Sequence, residues 1–292
     1  MKSGLAVIVS AALVIGGGSV ATSQAVQEQA QANETRTIDG VELGILVASY
    51  VQENYSHLVK ELKSEYHFPL LQTLELPGIG YYMFGAPGNN GAVAYYNPDE
   101  GKILVSLFYN VYLGNDQKFH VGSEKAGTKN LDETLKHEFV HYYAHMLSRR
   151  MGLGRFPRDI RLAPADGHVQ TVEESDTAMA NYYLEVLKCE GISEALVPSS
   201  RRVHNFTDSM WPGHIKAQLE GQDGSINWTA AYPAAEEFVK PIIDRYGEAG
   251  IEAIISEPTS AEDINDIPGL RKRIMDRLDK KAPADNKNLL GF

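Results

Sequence analysis

His137-Glu138-Phe139-Val140-His141 constrains this chain more than any other stretch of it. The five residues sit in an amphipathic run, Leu131 to Arg149, in which Leu135, Phe139, Val140, Tyr143 and Met146 form an apolar flank. On a helix, positions i and i+4 point the same way, so both imidazoles can grip one ion. Two histidines at that spacing suit Zn²⁺, and Glu138 between them is placed to move a proton at a remaining coordination position. A helix whose polar face carries two His and a Glu by coincidence is the competing reading. The punctuation argues for a real helix with a defined register. Asn130 with Glu133 makes a cap and capping box, and Gly152 and Gly154 stop the run after Arg149-Arg150.

The chain has 292 residues, 43% of them hydrophobic, enough for one sizeable core or one core with a small subdomain. Its formal charge is −11, without a basic patch interleaved with aromatics, so nucleic acid is not an expected partner. Met1 to Ala25 has the form of a cleavable signal peptide: Lys2, an apolar stretch from Leu5 to Ile15 broken by Gly16-Gly17-Gly18, then small residues. That apolar stretch is short for a membrane span, so the expected mature protein is secreted or extracytoplasmic, with no stable span after cleavage. Residues 26–38 read as a disordered spacer, 39–280 as one domain, and 281–292 as a flexible tail. Cys189 is the only cysteine, which excludes an intrachain disulfide and a cysteine-based zinc site.

Periodicity predicts a helix over Val41 to Lys63, short strands at Leu70 to Leu76 and Gly80 to Phe84, and a hairpin. The hairpin pairs Ala92 to Tyr96 with Lys102 to Phe108 around a turn-rich Asn97 to Gly101. After the metal helix come an irregular stretch, a second helix over Thr171 to Cys189, a third over Tyr232 to Tyr246, and shorter helices at Glu248 to Ser256 and Pro268 to Leu278. The expected class is α+β: a small sheet with an edge hairpin on the HExxH helix, then a mainly helical C-terminal half.

A catalytic zinc takes three protein ligands and keeps one position for water. His145, His168, Glu173, Glu174 and Asp176 are the candidates for the third. His145 is eight residues past His137, about 12 Å along the axis, too far for one ion. The metzincin extension fails, since its glycine would fall at Ala144 and its third histidine at Leu147. A helix carrying HExxH followed by a helix carrying a glutamate resembles the gluzincin zinc metallopeptidases, in particular their peptidase MA-like group. The likeness covers most of residues 43 to 256. The Ala92 to Phe108 hairpin looks like that family's substrate-binding edge strand, and Tyr232 to Gly247 looks like the helix that follows its site. The family's third ligand sits in a Glu-Gly-x-Ala run. By that resemblance Glu174, with thirty-two residues between it and His141, is the expected ligand and Glu173 the alternative, although Ser175 stands where the family has glycine.

The resemblance implies a zincin-like fold and a zinc-dependent peptidase acting on a peptide or protein substrate. His137, His141 and Glu174 would hold Zn²⁺, and Glu138 would be the general base toward a zinc-coordinated water. Gluzincins stabilise the oxyanion with a Tyr or His from the downstream half. That implies Tyr232, with His204 and His214 as alternatives. Asp176 or Asp166 could orient a ligand histidine through its second ring nitrogen. The rival class is a secreted binding or assembly protein with a structural or vestigial zinc site, which would have no need of Glu138.

Overall fold

The computed structural model describes residues 6–8, 37–82, 93–107, 110–113, 116, 118–121, 131–158, 172–198 and 228–281. The Asn130 cap, His168, His204, His214, Asp166 and the tail from 282 lie outside the described residues. Of the expected signal segment and spacer, β1 (Ala6–Ile8) and the start of β2 (Thr37–Asp39) are described, and the two strands pair antiparallel.

The architecture is α+β, with little sheet and much helix. α1 (Gly40–Glu65) buries Leu43, Val47, Val51, Tyr55, Leu58 and Leu62. Those positions recur every three or four residues, which gives one continuous stripe. Next comes α2 (Pro69–Thr73), where the sequence reading expected a strand. Pro69 explains the difference: its fixed φ is suited to the first turn of a helix, where its missing N–H costs nothing. β3 (Gly78–Tyr82), β4 (Ala94–Asn97) and β5 (Lys102–Ser106) form one sheet in the order β3-β5-β4. β3 runs parallel to β5 and β4 antiparallel to it, so the expected hairpin is present and β4 is an edge. β6 (Val111–Leu113) and β7 (Phe119–Val121) make a separate antiparallel pair.

α3 (Leu131–Arg150) carries the HExxH motif. It touches α1, β4, the helical half and α2, and is buried over most of its circumference: Leu135, Phe139, Val140, Tyr143, Ala144 and Leu147 are all fully enclosed. Leu135, Phe139, Val140 and Leu147 each contribute about 1.5–3 kcal/mol on transfer from water. The helix ends as its glycines indicate. Gly152 adopts a left-handed conformation, φ 74°, and Leu153 N–H reaches back to Ser148 O at 3.0 Å, closing the helix with a six-to-one bond.

α4 (Val172–Leu196) runs seven residues beyond the expected end at Cys189. It packs along α5 (Trp228–Tyr246), which is followed by α6 (Glu248–Ser256), a 3₁₀ turn (Ala261–Asn265) and α7 (Ile267–Lys281). Buried Glu248 ties α6 to α3 and α2: it accepts from Tyr143 Oη at 3.0 Å, Arg150 Nη2 at 2.6 Å and Leu70 N–H at 3.0 Å. Lys188 on α4 is fully enclosed and donates to Glu257 O at 2.8 Å and Glu185 Oε1 at 3.3 Å. Burial pulls its pKa below the ordinary lysine value, with the Glu185 charge opposing. These two networks fix α3 and α4 in the same body, which the site requires.

Candidate metal centre

α3 and α4 face each other across the motif. His137 and His141, one turn apart on α3, bring their Nε2 atoms within 3.0 Å of each other. Glu190 of α4 completes the cluster. Its Oε2 lies 3.2 Å from His137 Nε2 and 3.5 Å from His141 Nε2. Ligands about 2.0–2.1 Å from a tetrahedral zinc stand about 3.3 Å from one another. The three observed separations bracket that edge length.

The second nitrogen of each ring decides what the first can offer. His137 Nδ1 is 3.3 Å from Oε1 of Glu194, a fully buried carboxylate. His141 Nδ1 is 3.0 Å from Ser193 Oγ and 3.2 Å from Cys189 Sγ. A carboxylate beside Nδ1 favours the proton there and leaves the Nε2 lone pair pointing into the cluster. Nδ1 of His141 can hold its proton in the same way, because the Ser193 hydroxyl is able to accept it. Three lone-pair donors then converge, with Glu138 and Glu194 adding negative charge nearby. Such a set can hold a metal cation, and a His₂Glu donor set is one that zinc uses. Burial alone would raise the Glu190 pKa. Without a metal, positive charge on the His141 and His137 rings takes the place of the ion, outweighs that effect and holds the carboxyl well below its ordinary range.

Among the described residues it is Glu190, and not the expected Glu174, that meets the two histidines. Glu173 and Glu174 lie on the same helix as Glu190, but sixteen or more residues earlier, about 24 Å away along the axis. Asp176 is exposed at that same far end and does not meet the histidines. The signal for Glu190 was nonetheless present. Glu190-Gly191-Ile192-Ser193 carries the Glu-Gly pair that Glu174, followed by Ser175, lacks. Gly191 has a packing reason to be glycine. A Cβ there would drive into Ala235 O and the Val239 side chain of α5. The close crossing it permits also brings up Tyr232, whose ring stands edge-on to His137 at 6.1 Å between centroids. Burial, then the charges of Glu190, Glu138 and Glu194, push the Tyr232 phenol well above its ordinary value, so it is a neutral hydrogen-bond donor.

Glu138 is not part of the cluster. It points to the sheet side of α3, where its Oε2 accepts a hydrogen bond of 2.7 Å from the main-chain N–H of Tyr96 on β4. His145, excluded as a ligand by distance, shares a 2.8 Å hydrogen bond with Tyr96 Oη. Compared with known protein families, with curated proteins and with solved structures, the chain matches none.

Proposed function

We propose that this chain is a zinc-dependent metallopeptidase of the gluzincin type, exported from the cell and acting on peptide or protein substrates. The observation that carries the proposal is the His137, His141 and Glu190 cluster with the Glu138 carboxylate one helix position from a ligand. When bound, zinc supplies polarisation of a scissile carbonyl and acidifies water. His137, His141 and Glu190 would hold it, with Glu194 and Ser193 fixing the rings. Glu138 takes a proton from the attacking water and returns it to the leaving amine. Tyr232, an un-ionised phenol beside His137, donates a hydrogen bond to the oxyanion. β4 is a sheet edge, the kind of strand an extended peptide pairs with, although its Tyr96 N–H is already engaged by Glu138.

The test is hydrolysis of a labelled general protein substrate by the purified chain, with zinc content measured alongside. We expect cleavage that chelator abolishes and zinc restores. Glu138→Gln should keep the zinc and lose activity by about 10²–10⁴-fold. Wild type that binds zinc and cleaves nothing across a broad peptide library would favour a non-catalytic zinc protein instead. Export is checked by N-terminal sequencing of the native protein, where an intact Met1 in a soluble cytoplasmic fraction would overturn it.

A further inference from the structure

We infer that Tyr96 and His145 are positioning residues for Glu138, which rests on the hydrolytic reading above. The inference starts from the two stripes of α3. His137 and His141 form one, turned to α4. Glu138, Tyr142 and His145, at i, i+4 and i+7, form another, about 100° round the helix. The whole second stripe faces one residue. Tyr96 gives its N–H to Glu138 Oε2 at 2.7 Å, sets its ring edge-on against Tyr142 at 5.7 Å, and shares its hydroxyl with His145 Nδ1 at 2.8 Å. Tyr96, Glu138 and His145 are all buried.

The strand register makes this possible. Ser106 N–H bonds to Val93 O at 3.0 Å, and pairing then alternates along the hairpin, so the main-chain groups of residues 94 and 96 face away from β5. An outward N–H on an edge strand would ordinarily go to water. Here it goes to a carboxylate, and charge-assisted bonds of that kind are short and directional. It fixes one oxygen of Glu138 and thereby the rotation of the carboxylate. The main-chain bond alone leaves β4 able to lift from α3. The side-chain bond to His145, two turns further along, pins the same residue at a second point. Burial first, and then the Arg149 and Arg155 charges, lower the His145 pKa, which keeps the ring neutral and able to share the bond.

Two readouts test this. The first is amide hydrogen exchange at residue 96 in the full-length, zinc-loaded protein. The second is kcat and KM on a cleavable peptide, with zinc content and Tm recorded. For Tyr96→Phe and for His145→Leu we expect faster exchange at residue 96 and a kcat lower by about 10–100-fold, with KM and zinc content nearly unchanged. His145→Gln, which can still bond the hydroxyl, should recover most of both. Glu138→Ala should speed exchange at residue 96 even if the other variants fold poorly. Unchanged exchange in Glu138→Ala would overturn the proposal, as would variants that lose only Tm and keep both kcat and slow exchange. If the wild type holds zinc but hydrolyses nothing, the peptidase reading fails, and the exchange arm still decides whether the pair holds Glu138.

Discussion

Glu190 and Glu174 make opposite predictions for a metal titration. Glu190→Ala removes one of three donors and should abolish tight zinc binding, whereas Glu174→Ala, about 24 Å along the helix, should leave it unchanged. Equilibrium zinc binding against a competing chelator distinguishes them. Glu194→Gln keeps a group beside His137 Nδ1 but removes its charge, and zinc affinity should fall by about 10–100-fold. The histidines and Glu138 were legible because an i, i+4 pair is local: the helix itself supplies the geometry. Glu190 was less so. Whether a helix continues through a glycine depends on what the glycine packs against, and Ala235 and Val239 are more than forty residues away in sequence.

At the level of elements, the α4–α5 crossing is the place to press. Gly191→Ala forces a methyl group against a helix carbonyl that cannot yield, and should destabilise the protein by about 1–3 kcal/mol in denaturant unfolding. If stability were unchanged, the crossing would be looser than described. Tyr143→Phe tests the anchor at the other end of α3. It leaves buried Glu248 short of one donor and should cost about 1–3 kcal/mol. α1 and the hairpin could be read from sequence because their periods of 3.6 and 2 are written into side-chain polarity, whereas the five-residue α2 could not. The parallel pairing of β3 with β5 could not. It depends on which strand edges meet after the chain has folded back, and no short-range pattern encodes that.

For the whole molecule, zinc bound at the proposed site should act as a folding ligand. Free zinc at about a thousand times its dissociation constant adds about 4 kcal/mol to stability. Chelation should therefore lower Tm in the wild type and leave Tm of His137→Ala unmoved; equal shifts would show that the chelator acts elsewhere. Acid should reverse the same linkage, because the ligands must be deprotonated to bind metal. In the metal-free protein the sign at Glu190 is also fixed. Its folded pKa lies below the ordinary 4.5, so the unfolded chain takes up the proton first. Its contribution is present above about pH 4.5 and is lost as pH falls below that, and melting curves from pH 7 to pH 3 would show it.

One helix carries both the stripe of proposed ion ligands and the stripe of the proposed base, and this governs how the gene can vary in length. Adding or deleting a single codon between His137 and His145 would turn every later residue by about 100° against the earlier ones and shift it by about 1.5 Å, which splits one or both stripes because they interleave along the helix. The exposed turn from Asp99 to Gly101 has no such bookkeeping, because its ends are already held by the β4–β5 ladder. A library of single-residue insertions across the whole chain, scored by zinc binding, should therefore show tolerated positions at the turn and inactive ones from His137 to His145.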